Sequence, residues 1–168
     1  GISTFQAITA TTGTFSADAT INGINVGKGA NSVSNNTAVG LNALDASVTG
    51  NNNTALGSAS LSENTSGSDN TGLGYGALNQ VTTGYQNVAV GANALDAITT
   101  HDSNVAIGYN ALTANTASGN SALGHSALAA NTSGSGNIGV GKGALLVNTT
   151  GNLSLIHISR AHETRRYL

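Results

Sequence analysis

The sequence predicts an all-β fold, a parallel β-roll or β-solenoid of about seven 17-residue coils. A five-residue motif, first seen as Asn-Thr-Ala-Val-Gly, returns at a fixed period, and such a period indicates stacked repeats. Each repeat has two short apolar pieces, separated by turns rich in Gly, Asn, Ser and Thr, and we expect each piece to form a strand. The chain has 23 Gly, and a helix would lose about 1 kcal/mol at each interior glycine.

The last residue of the motif is an invariant glycine that marks each coil. These structural repeat glycines are Gly40, Gly57, Gly74, Gly91, Gly108, Gly124 and Gly141. Five of the six intervals are 17 residues; the sixth is 16 and lacks one residue between Thr116 and Asn120, in a turn. We expect each glycine to take a backbone angle closed to other residues, or to admit a second backbone at close range.

Other columns recur around this glycine. An aliphatic residue precedes it: Val39, Leu56, Leu73, Val90, Ile107, Leu123 and Val140. Four residues after it stands leucine: Leu44, Leu61, Leu78, Leu95, Leu112, Leu128 and Leu145. We expect both columns to fill the interior of the coil as ladders. Alanine columns predict a thin coil, and the asparagine four residues before each glycine suggests an amide hydrogen-bond ladder.

The residue after the glycine varies most. This candidate recognition column consists of Leu41, Ser58, Tyr75, Ala92, Tyr109, His125 and Lys142. A variable column on a constant scaffold indicates a surface, and plain exposure to solvent is the simpler interpretation of it.

Three segments follow from the pattern. Residues 1–21 predict short shaft or lead-in strands, with Phe5 and Phe15 as core anchors. Residues 22–152 form the repeat array, which opens with an abbreviated coil of 13 residues from Gly27 to Gly40, and residues 26–30 are identical in sequence to 140–144. Residues 153–168 break the period and resemble a translated sequencing adapter, so we expect them to be an unstructured artefact of assembly.

No group of residues suggests chemistry. The His101-Asp102 pair has no third partner at a meaningful spacing, and no phosphate-binding loop follows the glycines. We therefore expect no enzyme, no cofactor and no metal. We also expect no nucleic-acid binding, because the arginines lie only in the 153–168 tail, and no membrane insertion, because no apolar run approaches about 20 residues.

The repeated Asn-x-Ala-Val/Ile-Gly resembles the head repeat of trimeric autotransporter adhesins. The longer form, Asn-Thr-Ala-Val-Gly-x-x-Ala-Leu with Asn-Thr-Thr-Gly between copies, is similar to phage tail-fibre proteins and related bacterial surface proteins. The resemblance covers about residues 36–152, with residues 21–27 as the usual lead-in. It implies a left-handed parallel β-roll, a homotrimer, and an extracellular location on a virion tail or a cell surface. It leaves two directions open for the aliphatic residue before each glycine, which faces either the chain's own core or the axis of the trimer. It also implies a role in binding a host-cell receptor or glycan.

Two functions follow. The first is a structural and adhesive fibre segment that carries or presents a receptor-binding region. The second is a single-chain ice-binding solenoid that uses the threonines eight residues after the glycines, a column from which only Val48 departs. Their neighbours Thr49, Thr83, Thr100 and Thr150 are adjacent in sequence, so alternate threonines would point to opposite faces.

Overall fold

The computed structural model describes residues 18–46 and 48–157. Residues 1–17 of the predicted lead-in at 1–21, with Phe5 and Phe15, and the tail from 158 onwards lie outside the described residues.

Ten short strands form one sheet in chain order. They are β1 (Ala19–Ile21), β2 (Ile24–Gly27), β3 (Thr37–Val39), β4 (Thr54–Leu56), β5 (Thr71–Leu73), β6 (Val88–Val90), β7 (Val105–Ile107), β8 (Ser121–Leu123), β9 (Ile138–Val140) and β10 (Leu155–His157). From β3 onwards all neighbours are parallel and in register, as in Thr54 opposite Thr71. The predicted β-solenoid with 17-residue coils is confirmed, while its handedness stays a prediction.

Each coil contains one strand, whereas the two apolar pieces of each repeat led us to expect two. The Ala-Leu piece instead forms a turn, in which the leucine has φ between 49° and 54° in all seven coils. This left-handed conformation costs a residue with a Cβ about 1 kcal/mol. The turns nevertheless stack, because the leucine N–H groups from Leu44 to Leu128 donate to the next coil, as from Leu78 to the Ala94 carbonyl at 3.0 Å.

The core lies between the sheet and these turns. The middle residue of each strand from β3 to β9 is buried, usually as alanine, and faces the leucine column, whose members from Leu44 to Leu128 are fully buried. The predicted thin coil is therefore confirmed. Where β5 has Gly72 in place of alanine, the Ser60 hydroxyl takes the space and donates to the Gly72 carbonyl at 3.0 Å. A Cβ on Gly72 would lie 2.5 Å from that hydroxyl, so the two departures from alanine complement each other.

The invariant glycine is required for both of the expected reasons. Its φ lies between 120° and 141° in all seven coils, a region that favours glycine. A Cβ on Gly57 would lie 2.5 Å from the carbonyl oxygen of Gly74, and Gly40, Gly74, Gly91, Gly108 and Gly124 show the same close approach to the next coil.

The repeated asparagine bonds mainly to backbone, not in the amide-to-amide ladder that we expected. The Oδ1 atom of Asn53 accepts the backbone N–H of Asn70 at 3.0 Å, and the Nδ2 of Asn70 donates to the Gly84 carbonyl at 2.8 Å. Amide-to-amide bonds join only Asn70, Asn87 and Asn104 among the described members. The backbone is preferred because buried N–H and C=O groups between coils otherwise have no partner.

The expectation that an abbreviated repeat coil runs from Gly27 to Gly40 is wrong. β2 runs antiparallel to β3, with Val26 opposite Val39, and follows β1 through a two-residue turn at Asn22-Gly23. Asn-Gly favours this hairpin because both residues tolerate positive φ. The carboxylate of Asp18 accepts the N–H groups of Lys28 and Gly29 at 2.7 and 2.8 Å. The shared sequence of 26–30 and 140–144 thus adopts two different pairings.

The expectation that residues 153–168 are unstructured is wrong for 153–157. β10 pairs in parallel with β9, Leu155 opposite Ile138, and the Ser154 N–H donates to Oδ1 of Asn137 at 2.9 Å. Ser154 replaces the repeat asparagine, yet its backbone N–H still makes the repeat's bond, because sheet pairing uses groups that every non-proline residue carries.

The 16-residue coil loses its residue in the outer turn, as predicted. Asn115 donates to the Ala117 carbonyl at 2.7 Å, as Asn131 donates to the Gly134 carbonyl at 2.8 Å. Val105 still pairs with Ser121, so the sheet register is unchanged.

Candidate interaction surfaces

An aliphatic column covers the outer face of the sheet. Its members are the third residues of β3 to β9, which we call the outer aliphatic column: Val39, Leu56, Leu73, Val90, Ile107, Leu123 and Val140. Leu56, Ile107 and Leu123 are 47%, 38% and 48% exposed, and the other four are half-buried. The expectation that this column fills the chain's own core is wrong, because the middle strand residue faces inward and its neighbours therefore face outward.

A sequence signal for this orientation exists. In all seven strands the middle residue is alanine or glycine and the third is Val, Leu or Ile. A thin coil has room only for the small side chain inside, so the large neighbour must face out. Facing the axis of a trimer remains a prediction for this column.

The same face becomes more apolar toward its C-terminal end. The first residues of the strands are threonine in β3 to β5, and then Val88, Val105, Ser121 and Ile138. No strand from β3 to β9 carries a charge. A groove of about 160 Å³ lies on this part of the sheet and is lined by Val105, Ile107, Ser121, Ala122, Leu123, Ile138 and Val140.

The candidate recognition column lies at the surface. Leu41, Tyr75 and Tyr109 are 57%, 63% and 50% exposed. His125 and Lys142 are also exposed, and Ser58 and Ala92 are half-buried. The Tyr109 and His125 rings stack across adjacent coils, with centroids 5.3 Å apart and planes tilted by 33°. Whether this column recognises anything stays a prediction.

The threonine column uses its hydroxyl groups within the stack. Thr65 donates from Oγ1 to the Thr82 carbonyl at 3.0 Å, and Thr132 does the same to Thr149. In the first coil Thr49 takes this place, since its hydroxyl donates to the Thr65 carbonyl at 3.1 Å. In the structure Thr49 therefore occupies the threonine-column position that Val48 holds in the sequence alignment.

The His101-Asp102 pair lies in a turn and accepts hydrogen bonds from the preceding coil. Asp102 accepts the Tyr85 N–H at 2.9 Å, and the His101 carbonyl accepts Nδ2 of Asn87 at 2.9 Å. Across residues 18–46 and 48–157, no three His, Cys, Asp or Glu side chains cluster as metal ligands would. No helix in the same ranges is long and apolar enough to cross a membrane.

The chain matches no protein-family model, no curated protein and no solved structure. The resemblance to adhesin heads and tail fibres therefore depends on its repeat motif alone.

Proposed function

We propose that this chain is a structural and adhesive segment of a homotrimeric fibre, outside the cell on a phage tail or a bacterial surface. The observation that carries the proposal is the outer aliphatic column, which continues through seven coils without a charge. Three copies would bury these columns against one another and present or carry a receptor-binding region.

The extent of the apolar face supports assembly. Seven coils at about 4.8 Å per step make a ladder of roughly 29 Å. Contiguous exposed apolar surface of this kind marks interaction sites in soluble proteins. Its burial would stabilise the assembly by about 25 cal/mol for each Å² removed from water.

The repeat supports a rotation axis parallel to the stack. Every coil presents the same kind of residue at the same place, so each coil would meet an equivalent coil of its neighbour. Closed symmetry of this kind is the usual form of soluble homo-oligomers. The face itself calls for a partner, and the number of three copies comes from the resemblance to adhesin heads and tail fibres.

The ice-binding alternative has less support. Ice binding through the threonine column would use ordered hydroxyl groups that point to solvent. Thr65, Thr116 and Thr132 instead donate their hydroxyl hydrogens along the stack to the next coil. A measurement of thermal hysteresis at sub-millimolar protein tests this alternative, and we expect no effect on ice growth.

Light scattering after size-exclusion chromatography of the full chain tests the fibre proposal. We expect a mass three times the 16.5 kDa of one chain. The double variant Leu73→Asp/Ile107→Asp places carboxylates on the outer face and should give a monomer that keeps the β circular-dichroism spectrum. Leu41→Asp, on an exposed residue of another column, is the matched control and should stay trimeric. A wild-type monomer at every concentration would overturn the proposal, and a dimer would overturn the trimer.

A further inference from the structure

The aromatic residues of the described chain lie at the surface. Tyr75, Tyr85 and Tyr109 are 63%, 47% and 50% exposed, and the core of the described ranges consists of Ala, Leu, Val and Ile with asparagine and serine. Aromatic side chains usually dominate buried area, and exposed tyrosines are enriched where proteins bind partners. Packing within the chain therefore does not account for these rings.

Two of the tyrosines and a histidine form a straight strip. Tyr75, Ala92, Tyr109 and His125 occupy the same place in four successive coils. Backbone bonds hold this strip in register, since the Tyr75 carbonyl accepts the Asn93 N–H at 2.9 Å and the Ala92 carbonyl accepts the Asn110 N–H at 3.0 Å. The two tyrosines are thus separated by two coils, or about 9.6 Å. The small Ala92 leaves a notch between them.

The strip from Tyr75 to His125 carries no Asp, Glu, Lys or Arg, and the nearest charged member of its column is the exposed Lys142, one coil beyond His125. Asn93 and Asn110 lie one residue beyond the strip, and the Nδ2 of Asn93 is 3.4 Å from Oδ1 of Asn110. Residues 74–78, 91–95, 108–112 and 124–128 include no Asp, Glu, Lys or Arg. A matching ligand is neutral, has flat apolar faces for the rings, and has hydroxyl groups for the amides.

We propose that Tyr75, Tyr109 and His125, with the amides of Asn93 and Asn110, bind a linear neutral oligosaccharide of pyranose units. The sugar chain lies along the stack, with C–H faces against the two tyrosines and one unit over Ala92. This inference rests on the proposed function, because it names the receptor chemistry of the candidate recognition column.

Binding of three neutral hexasaccharides tests it: cellohexaose, maltohexaose and chitohexaose. Titration calorimetry and saturation-transfer NMR on the full chain should detect binding of at least one of them. Tyr109→Ala and Tyr75→Ala should each weaken it about tenfold, which corresponds to roughly 1.4 kcal/mol. Ala92→Leu should also weaken binding, because the longer side chain fills the notch.

Tyr85→Ala is the matched control, because Tyr85 is similarly exposed but lies in a different turn. Its affinity should stay within about twofold of the wild type. Absence of binding to all three sugars would overturn the inference, as would an equal loss in Tyr85→Ala. Tighter binding of an acidic hexagalacturonate would overturn the neutral class of ligand.

Light scattering on the same samples separates this inference from the fibre proposal. A trimer that binds none of the sugars leaves the fibre proposal standing and ends the inference. A monomer that binds a sugar through Tyr109 supports the inference and overturns the fibre proposal.

Discussion

The leucine column and the outer aliphatic column have the same chemistry and opposite environments. Leu78 is fully buried in a left-handed turn, whereas Leu73, five residues earlier in the same coil, is half-buried on the outer face of β5. Both positions are aliphatic in all seven coils. The difference shows that a strict period identifies a column of stacked side chains but does not indicate whether that column lies inside the coil or on its outer face.

The strongest test of this comparison is to replace each of the two leucines of one coil by alanine in separate variants. Leu78→Ala should lower the free energy of unfolding by about 2–5 kcal/mol, because it opens a cavity in the core. Leu73→Ala should act mainly on assembly, so that the unfolding midpoint becomes more dependent on protein concentration. Thermal denaturation at several concentrations, followed by circular dichroism, measures both.

Equal and concentration-independent losses for the two variants would show that the outer column supports the single chain as much as the core does. The comparison would then fail, and the fibre proposal would lose its main support.

A second comparison lies within the core, where one buried column mixes asparagine with aliphatic residues. Asn131 donates to Asn115 Oδ1 at 2.7 Å and accepts from Asn148 at 3.3 Å. Asn64 lies between Val48 and Val81, and its buried Oδ1 has no hydrogen-bond partner among the described residues. The Gly67 carbonyl that Asn64 bonds is also bonded by Asn53.

Asn131→Val should therefore destabilise the chain by about 1–3 kcal/mol, since it removes several buried hydrogen bonds. Asn64→Val should raise stability by about 1 kcal/mol, because it removes an unpaired buried oxygen and leaves the Gly67 carbonyl bonded. Urea denaturation of both variants measures the two signs. A loss in both would mean that Asn64 has a partner, such as water, that its neighbours in the chain do not provide.

The smallest expected effect concerns a carboxyl group beside this core. Burial raises the pKa of Asp96 above 3.8. The folded chain therefore holds this proton to higher pH than the unfolded chain does, and stability falls as pH rises from 3.8 through the raised value. Asp96→Asn should slightly stabilise the chain at pH 7 and leave it unchanged near pH 3.

Asp45 has the same place in the first coil but is exposed, so Asp45→Asn is the control. It should change stability little at either pH. A gain of equal size for Asp96→Asn at both pH values would mean that a cause other than ionisation is responsible.

The sequence predicted the architecture well because the period is a direct consequence of stacking. The glycine column, the thin coil and the site of the one-residue loss could all be inferred from aligned residues. The left-handed turn at Leu78 could not, because leucine disfavours that conformation and only tertiary burial offsets it. The hairpin at Asn22-Gly23 does not follow from the repeat, because residues 26–30 have the sequence of 140–144 but pair differently, and only the local Asn-Gly turn signal indicates it.

For the candidate surfaces, too, one part could be predicted from the sequence and another part could not. Exposure of Tyr75 and Tyr109 follows from their variable column, and the structure agrees. The outward direction of Leu56 and Ile107 depends on which of two neighbouring residues fits the thin interior. That outcome needs the size of the coil as well as its period.

The shortened turn between Thr116 and Asn120 has a consequence for the evolution of length. Since Val105 still pairs with Ser121, the spacing between neighbouring coils does not depend on the number of residues in each turn. The length of the stack is therefore set by the number of coils, each of which adds about 4.8 Å. Duplication or loss of a repeat would lengthen or shorten such a spacer in whole steps, while small changes in a turn would alter only its surface.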